Sequence, residues 1–134
     1  MTTPNNPQLF HCLKYRDARR AIDFLTAIGF REVALYADEN DPSVVHHCEL
    51  AWRDNGGVML GSLQGGLEAL TEGRAHSAYL VVDTDDEVDA FYSTALAAGA
   101  ASTQAPESPD YGGRGATVAD AEGHLWSVGS YPGS

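Results

Sequence analysis

The side chains best suited to chemistry in this sequence are few and widely spaced. His47 and Glu49 alternate along a strand-like segment, which puts an imidazole and a carboxylate on one face, able to share a proton or two corners of a divalent cation. His76 opens a second apolar segment and is the best candidate for a catalytic residue, as a general base, or for a group that recognises a ligand. The loop over 106–114 brings together a phenol, Tyr111, and a guanidinium, Arg114, which can hold a carboxylate or phosphate-like group or pair with an acidic neighbour. Cys12 and Cys48 each sit in an apolar segment without a third ligand close in sequence, the pattern of free thiols in a reducing compartment. The acids at 83, 85, 86, 87 and 89 read as the negative start of a helix, where backbone amides favour them. No Gly-rich phosphate loop, Gly-x-Ser-x-Gly elbow or Cys-His pair at usable spacing occurs, which removes nucleotide hydrolases and serine esterases.

The elements that must position these groups come in two similar sets. Apolar periodicity marks a helix from Asp17 to Gly29, with Ala18, Ala21, Ile22, Phe24, Leu25 and Ile28 as its buried stripe. A second runs from Asp85 or Asp86 to Gly99, with Val88, Phe91, Tyr92, Ala95 and Leu96 at matching spacing. Each opens with an acid that can cap the first turn and closes on a Gly suited to a left-handed C-cap. Strand-like runs precede the helices at 8–15 and 76–82, and three more follow each, at 30–37, 44–53 and 57–63, then 101–104, 114–119 and 124–131. The pattern is βαβββ twice, an α+β fold of two modules over about 7–63 and 76–131, with a Gly-rich linker at 64–75. Each module leaves one sheet face uncovered, so the pair is expected to form a curved sheet around a ligand pocket with the helices outside. Trp52, Trp126, His11, His46 and His124 are expected to serve packing.

The chain has 134 residues, one domain's length, and a formal charge of −11. Residues 1–67 carry six basic and eight acidic groups and residues 68–134 two and eleven, so the acidity belongs to the second half. That charge repels nucleic acid and anionic membrane faces and makes a cationic ligand one expectation for the pocket. The first residues lack the pattern of a secretory signal, and no apolar run reaches the roughly 20 residues of a spanning helix, so a cytoplasmic location is expected.

Taken together, Tyr15-Arg16-Asp17-Ala18, Ala21-Ile22-Asp23-Phe24, Ile28-Gly29-Phe30, His76 through Asp83, Val88-Asp89-Ala90, Ala98-Gly99-Ala100, Tyr111-Gly112-Gly113-Arg114 and Asp120-Ala121-Glu122-Gly123-His124-Leu125-Trp126 carry a resemblance. The chain resembles small bacterial members of the vicinal oxygen chelate superfamily, which holds glyoxalase I, extradiol dioxygenases, fosfomycin-resistance enzymes and bleomycin-resistance proteins. Ala121 stands where a Pro is common in that turn. The resemblance implies a homodimer. It also implies metal ligands seven residues before Asp17 and Asp83 and carboxylates on each module's last strand. Those positions hold Phe10, Leu60 or a neighbour, His76 and Ser127, so only His76 matches. One imidazole holds a divalent cation weakly, since catalytic sites keep about three protein ligands. The expectation is a metal-free, cofactor-free small-molecule binding protein of the drug-sequestering, antibiotic-resistance kind, with Phe10, His47, Glu49, His76, Tyr111, Arg114 and Ser127 lining the pocket. The alternative is a metal-dependent lyase, isomerase or dioxygenase whose divalent metal uses an unusual set, His76 with Glu49 and His47.

Overall fold

A computed structural model describes residues 9–63, 76–110 and 112–133. The chain divides into two compact units, Met1–Glu72 and Gly73–Ser134. The expected linker at 64–75 and Tyr111 lie outside the described residues.

The first unit contains β1 (His11–Tyr15), α1 (Ala18–Ala27), β2 (Arg31–Ala37), β3 (Val45–Trp52) and β4 (Gly56–Ser62). Its sheet has the order β1-β4-β3-β2, with β1 parallel to β4 and the other pairs antiparallel. Apolar alternation fixes which face is covered: Leu13, Tyr15, Cys48, Leu50, Trp52, Val58 and Leu60 are buried together with the α1 stripe of Ala18, Ala21, Ile22, Phe24, Leu25 and Ile28. The Asp17 carboxylate caps α1 by accepting from the Arg20 amide at 3.1 Å. At the other end Phe30 N donates to Leu25 O and Gly29 N to Thr26 O, the paired bonds of a Schellman close with Gly29 at φ 123°.

The second unit repeats the plan with β5 (Ser77–Val81), α2 (Asp85–Ala97), β6 (Ala101–Glu107), β7 (Gly115–Ala119) and β8 (Leu125–Gly129). The sheet order is β5-β8-β7-β6, again with the first pair parallel. Leu80, Val82, Ala116, Val118, Trp126 and Val128 are buried on the covered face with Val88, Phe91 and Ala95 of α2. The α2 close reproduces that of α1, with Ala100 N to Ala95 O and Gly99 N to Leu96 O around Gly99 at φ 107°.

Three local differences from the sequence reading have physical causes. The cap of α2 is Thr84, one residue before the acids: its hydroxyl accepts from the Glu87 amide at 3.2 Å, leaving Asp85, Asp86 and Glu87 in the first turn, where the helix dipole favours them. Tyr92 and Leu96 leave the buried stripe, Tyr92 because its hydroxyl donates to Ser102 Oγ on β6 at 2.8 Å. Strand β6 runs three residues past the expected 101–104, through Pro106 to Glu107, with register shifts on either side of Gln104. It is an edge strand, where a proline costs no ladder bond.

The turn from β7 to β8 explains the motif at 120–126 without chemistry. Asp120 Oδ1 accepts from the amides of Glu122 and His124, each at 3.0 Å, and Oδ2 from the Trp126 indole at 3.1 Å. Asp120, His124 and Trp126 are all buried, so one carboxylate ties the hairpin to the core. Trp52 has the corresponding packing role in the first unit, its ring 5.2 Å from that of Phe30.

Candidate ligand-binding site

The second unit's uncovered face carries a cleft of about 230 Å³, lined by Tyr79, Gln104, Glu107, Pro109, Gly115, Ala116, Thr117, Ser127 and Val128. Its floor follows from strand register. One row across the sheet is Tyr79, Ser127, Thr117 and Gln104, because β5 pairs Tyr79 with Ser127, β7 pairs Thr117 with Ser127 and β6 pairs Gln104 with Thr117. The next row is Val81, Gly129, Gly115 and Glu107. Two adjacent glycines in that second row remove side chains where two strands meet, which hollows the face. The Tyr79 ring lies over Gly129, and its hydroxyl donates to the Tyr131 carbonyl at 2.8 Å.

Hydroxyls dominate the first row. Ser127 Oγ is 2.8 Å from Ser77 Oγ and 2.9 Å from Thr117 Oγ1, so three hydroxyls form a hydrogen-bonded chain across β5, β8 and β7. The Gln104 amide donates to the Glu107 carboxylate at the cleft's edge. Glu107 is the single charged side chain among the described lining residues.

The residues expected from sequence fall in several places. Ser127 is central to the cleft. His76 is exposed, one residue before β5, in the register of Ala78 and Leu80 rather than that of Ser77 and Tyr79, and it is not among the lining residues. Arg114 shares the covered face with Ala116 and Val118; its Nε donates to Asp89 of α2 at 3.0 Å, and its backbone amide donates to Ser130 Oγ. The acidic first turns of α2 thus draw the guanidinium away from the cleft side.

Phe10, His47 and Glu49 belong to the first unit. His47 and Glu49 share the uncovered face of β3, with Nε2 and Oε2 2.8 Å apart, and the Tyr36 ring lies 6.1 Å from that of His47. Phe10 is half-buried just before β1, in the register of Cys12 and Lys14. His46 pairs instead with Asp38 at 3.0 Å, and this bond, with the amides of Asn40 and Asp41, holds the Asp38 carboxyl below its ordinary range. Among the described residues, no three His, Cys, Asp or Glu side chains come together as a group that could hold a metal ion.

Sequence reasoning missed Tyr79, Gln104, Thr117 and Glu107. Alternation from Ser77 to Val81 was the available signal for Tyr79, whereas Gln104 and Glu107 depend on irregular pairing at an edge.

Against known proteins, residues 8–128 match the Glyoxalase/Bleomycin resistance protein/Dioxygenase superfamily. The chain belongs to that superfamily. No curated protein sequence matches it. A glyoxalase/bleomycin resistance protein/dioxygenase family enzyme from Burkholderia phytofirmans PsJN is similar in structure, at TM-score 0.69 and 20% identity over 90% of this chain and 94% of that one. TioX from Micromonospora sp. ML1 is similar at TM-score 0.64 and 27% identity, covering 90% and 97%. The fosfomycin resistance protein FosX from Mesorhizobium loti is similar at TM-score 0.67 and 18% identity, covering 94% and 91%. These likenesses carry the superfamily's fold, and no helix among the described residues is long and apolar enough to cross a membrane.

Proposed function

We propose that this superfamily member is a small-molecule binding protein that works without the superfamily's metal. The observation that carries the reading is the hydroxyl chain of Ser77, Ser127 and Thr117 on the floor of the second-unit cleft. Neutral hydroxyls that satisfy one another are poor ligands for a divalent cation, which in catalytic sites prefers imidazole, thiolate or carboxylate. They suit orientation of a ligand by hydrogen bonds, as placed polar groups do in a binding pocket. No imidazole or thiol lines the cleft among the described residues, so none activates Ser127 as a nucleophile. Ligand sequestration of the drug-resistance kind accords with this chemistry. A homodimer in the cytoplasm completes the proposal. Val33 and Tyr36 on edge strand β2 are exposed and apolar enough to be covered by a second copy.

Native mass spectrometry of protein taken directly from cells tests these points together. The expected result is a dimer mass, a retained small molecule and no stoichiometric metal. Tight metal at one equivalent per chain, lost in His76→Ala, would overturn the metal-free reading.

The His47–Glu49 pair supports a second reading, an enzyme whose metal or proton transfer uses the first unit's face. It requires Glu49→Gln to abolish metal uptake and turnover together, and unchanged metal binding in that variant counts against it.

A further inference from the structure

Charge is distributed unevenly around the second-unit cleft. Ser127, Thr117 and Tyr79 offer neutral hydroxyls, Pro109 and Gly115 offer flat apolar contact, and Glu107 supplies the only formal charge among the described lining residues. No basic side chain lines it among the described residues. Arg114, the single Lys or Arg among the unit's described residues, is held by Asp89 on the opposite side of the sheet. Nine Asp and Glu residues stand against it among those same residues, and a field of one sign attracts counter-ions to the surface that carries it.

We propose that this cleft selects a small organic cation, an amine or amidine carried on a flat apolar body, with its positive group on the Glu107 carboxylate. The inference rests on the reading of the chain as a small-molecule binder and names the chemical class that it binds. A carboxylate accepts at about four lone-pair sites, so the bond from Gln104 leaves room for a second donor and holds the acid in place. An amidinium presents two parallel N–H groups that match a carboxylate, while its ring can lie on Tyr79 and over the hollow at Gly115. An anionic ligand meets the field of the acids and, among the described lining residues, no compensating cation.

Benzamidine, benzamide and benzoate share a ring and differ in charge, and they serve as probes. Titrating each into isotope-labelled protein, and following the amide signals of Gly115, Thr117 and Ser127, reads occupancy of the cleft. Benzamidine is expected to bind at least about fivefold tighter than benzamide, the scale of a partly exposed charge-assisted bond, with benzoate weakest. In Glu107→Gln that preference is expected to vanish. A rise in salt from low to physiological strength is expected to weaken benzamidine alone. Equal affinity of benzamidine and benzamide, or a preference that survives Glu107→Gln, overturns the cation proposal and leaves small-molecule binding standing. Cleft signals that no probe moves up to millimolar concentration overturn it as well. Failure of the underlying reading is separate, because it would show as native protein that retains no small molecule from cells.

Discussion

At Gly129 a single missing methyl group shapes the candidate site. A Cβ there would stand 2.1 Å from the Tyr79 hydroxyl oxygen, so the phenol holds its place only because residue 129 has no side chain. Gly129→Ala is therefore expected to expel the Tyr79 ring from the cleft and break its bond to the Tyr131 carbonyl. Tyr79→Phe removes the same hydrogen bond but keeps the ring, at a cost of about 1 kcal/mol. Urea unfolding should show the alanine variant losing more, by a further ~1 kcal/mol or above, because overpacking adds to the lost bond. Equal losses would mean that the ring is not confined. Cys48 makes a second residue-scale case. It is fully buried, and burial pushes its thiol up to about 11 from an ordinary 9.0. Between those values the unfolded chain releases the proton and the folded chain keeps it, so stability falls as pH rises through this window. The loss from pH 8.5 to 10.5 should be smaller in Cys48→Ala by on the order of 2 kcal/mol. In native protein near neutral pH, a thiol reagent should label the exposed Cys12 and reach Cys48 only on unfolding.

Among elements, the two helices share one design but meet different neighbours, which separates backbone conformation from packing. Gly29 and Gly99 both close their helices in the left-handed region, at φ 123° and 107°. An added Cβ at Gly29 would meet the Trp52 ring at 3.0 Å, whereas at Gly99 nothing lies within 4 Å. Both alanine variants should lose about 1 kcal/mol to the backbone, and Gly29→Ala should lose roughly 1 to 2 kcal/mol more from the displaced indole. Thermal unfolding of the pair gives this difference directly, and equal midpoints would remove Trp52 as the reason for glycine at 29. Both closing glycines were legible in the sequence, as were the buried stripe of α1 and all eight strands in order. Strand β6 was legible only at its start: it is polar, lies at an edge and carries a proline, so no apolar alternation marks its last residues. That gap matters, since the hidden part carries Glu107. Ser127 was reachable through the resemblance, whereas the exposure of His76 depends on which side of the pleat the chain enters β5, and a spacing of seven before Asp83 does not fix that. The fate of Arg114 is likewise a contest between acids, decided by Asp89 lying one covered face away.

For the whole molecule, the repeat and the charge act together. Among the described residues each unit has a four-stranded sheet with one helix, and apolar side chains are buried beneath that helix. The net −11 is divided unequally, −2 over residues 1–67 and −9 over 68–134. Among the described residues of the second unit, a favourable site for this charge is the first turn of α2, where Asp85, Asp86 and Glu87 face the amide end of the helix. The remaining acids repel one another over distances that salt controls, since the screening length falls from about 30 Å at 0.01 M to about 8 Å at 0.15 M. Like-charge repulsion destabilises the compact state more than the expanded one. The surface pairs work in the opposite sense, but Arg114–Asp89 is partly exposed and is worth under about 1 kcal/mol. Repulsion should therefore win: the melting temperature should rise by a few degrees as sodium chloride is raised from 10 to 150 mM. Charge-neutralising changes at exposed acids away from the α2 first turn, such as Asp110→Asn, should raise stability at low salt and flatten the salt response. A midpoint that falls with added salt would show that the paired charges outweigh the excess.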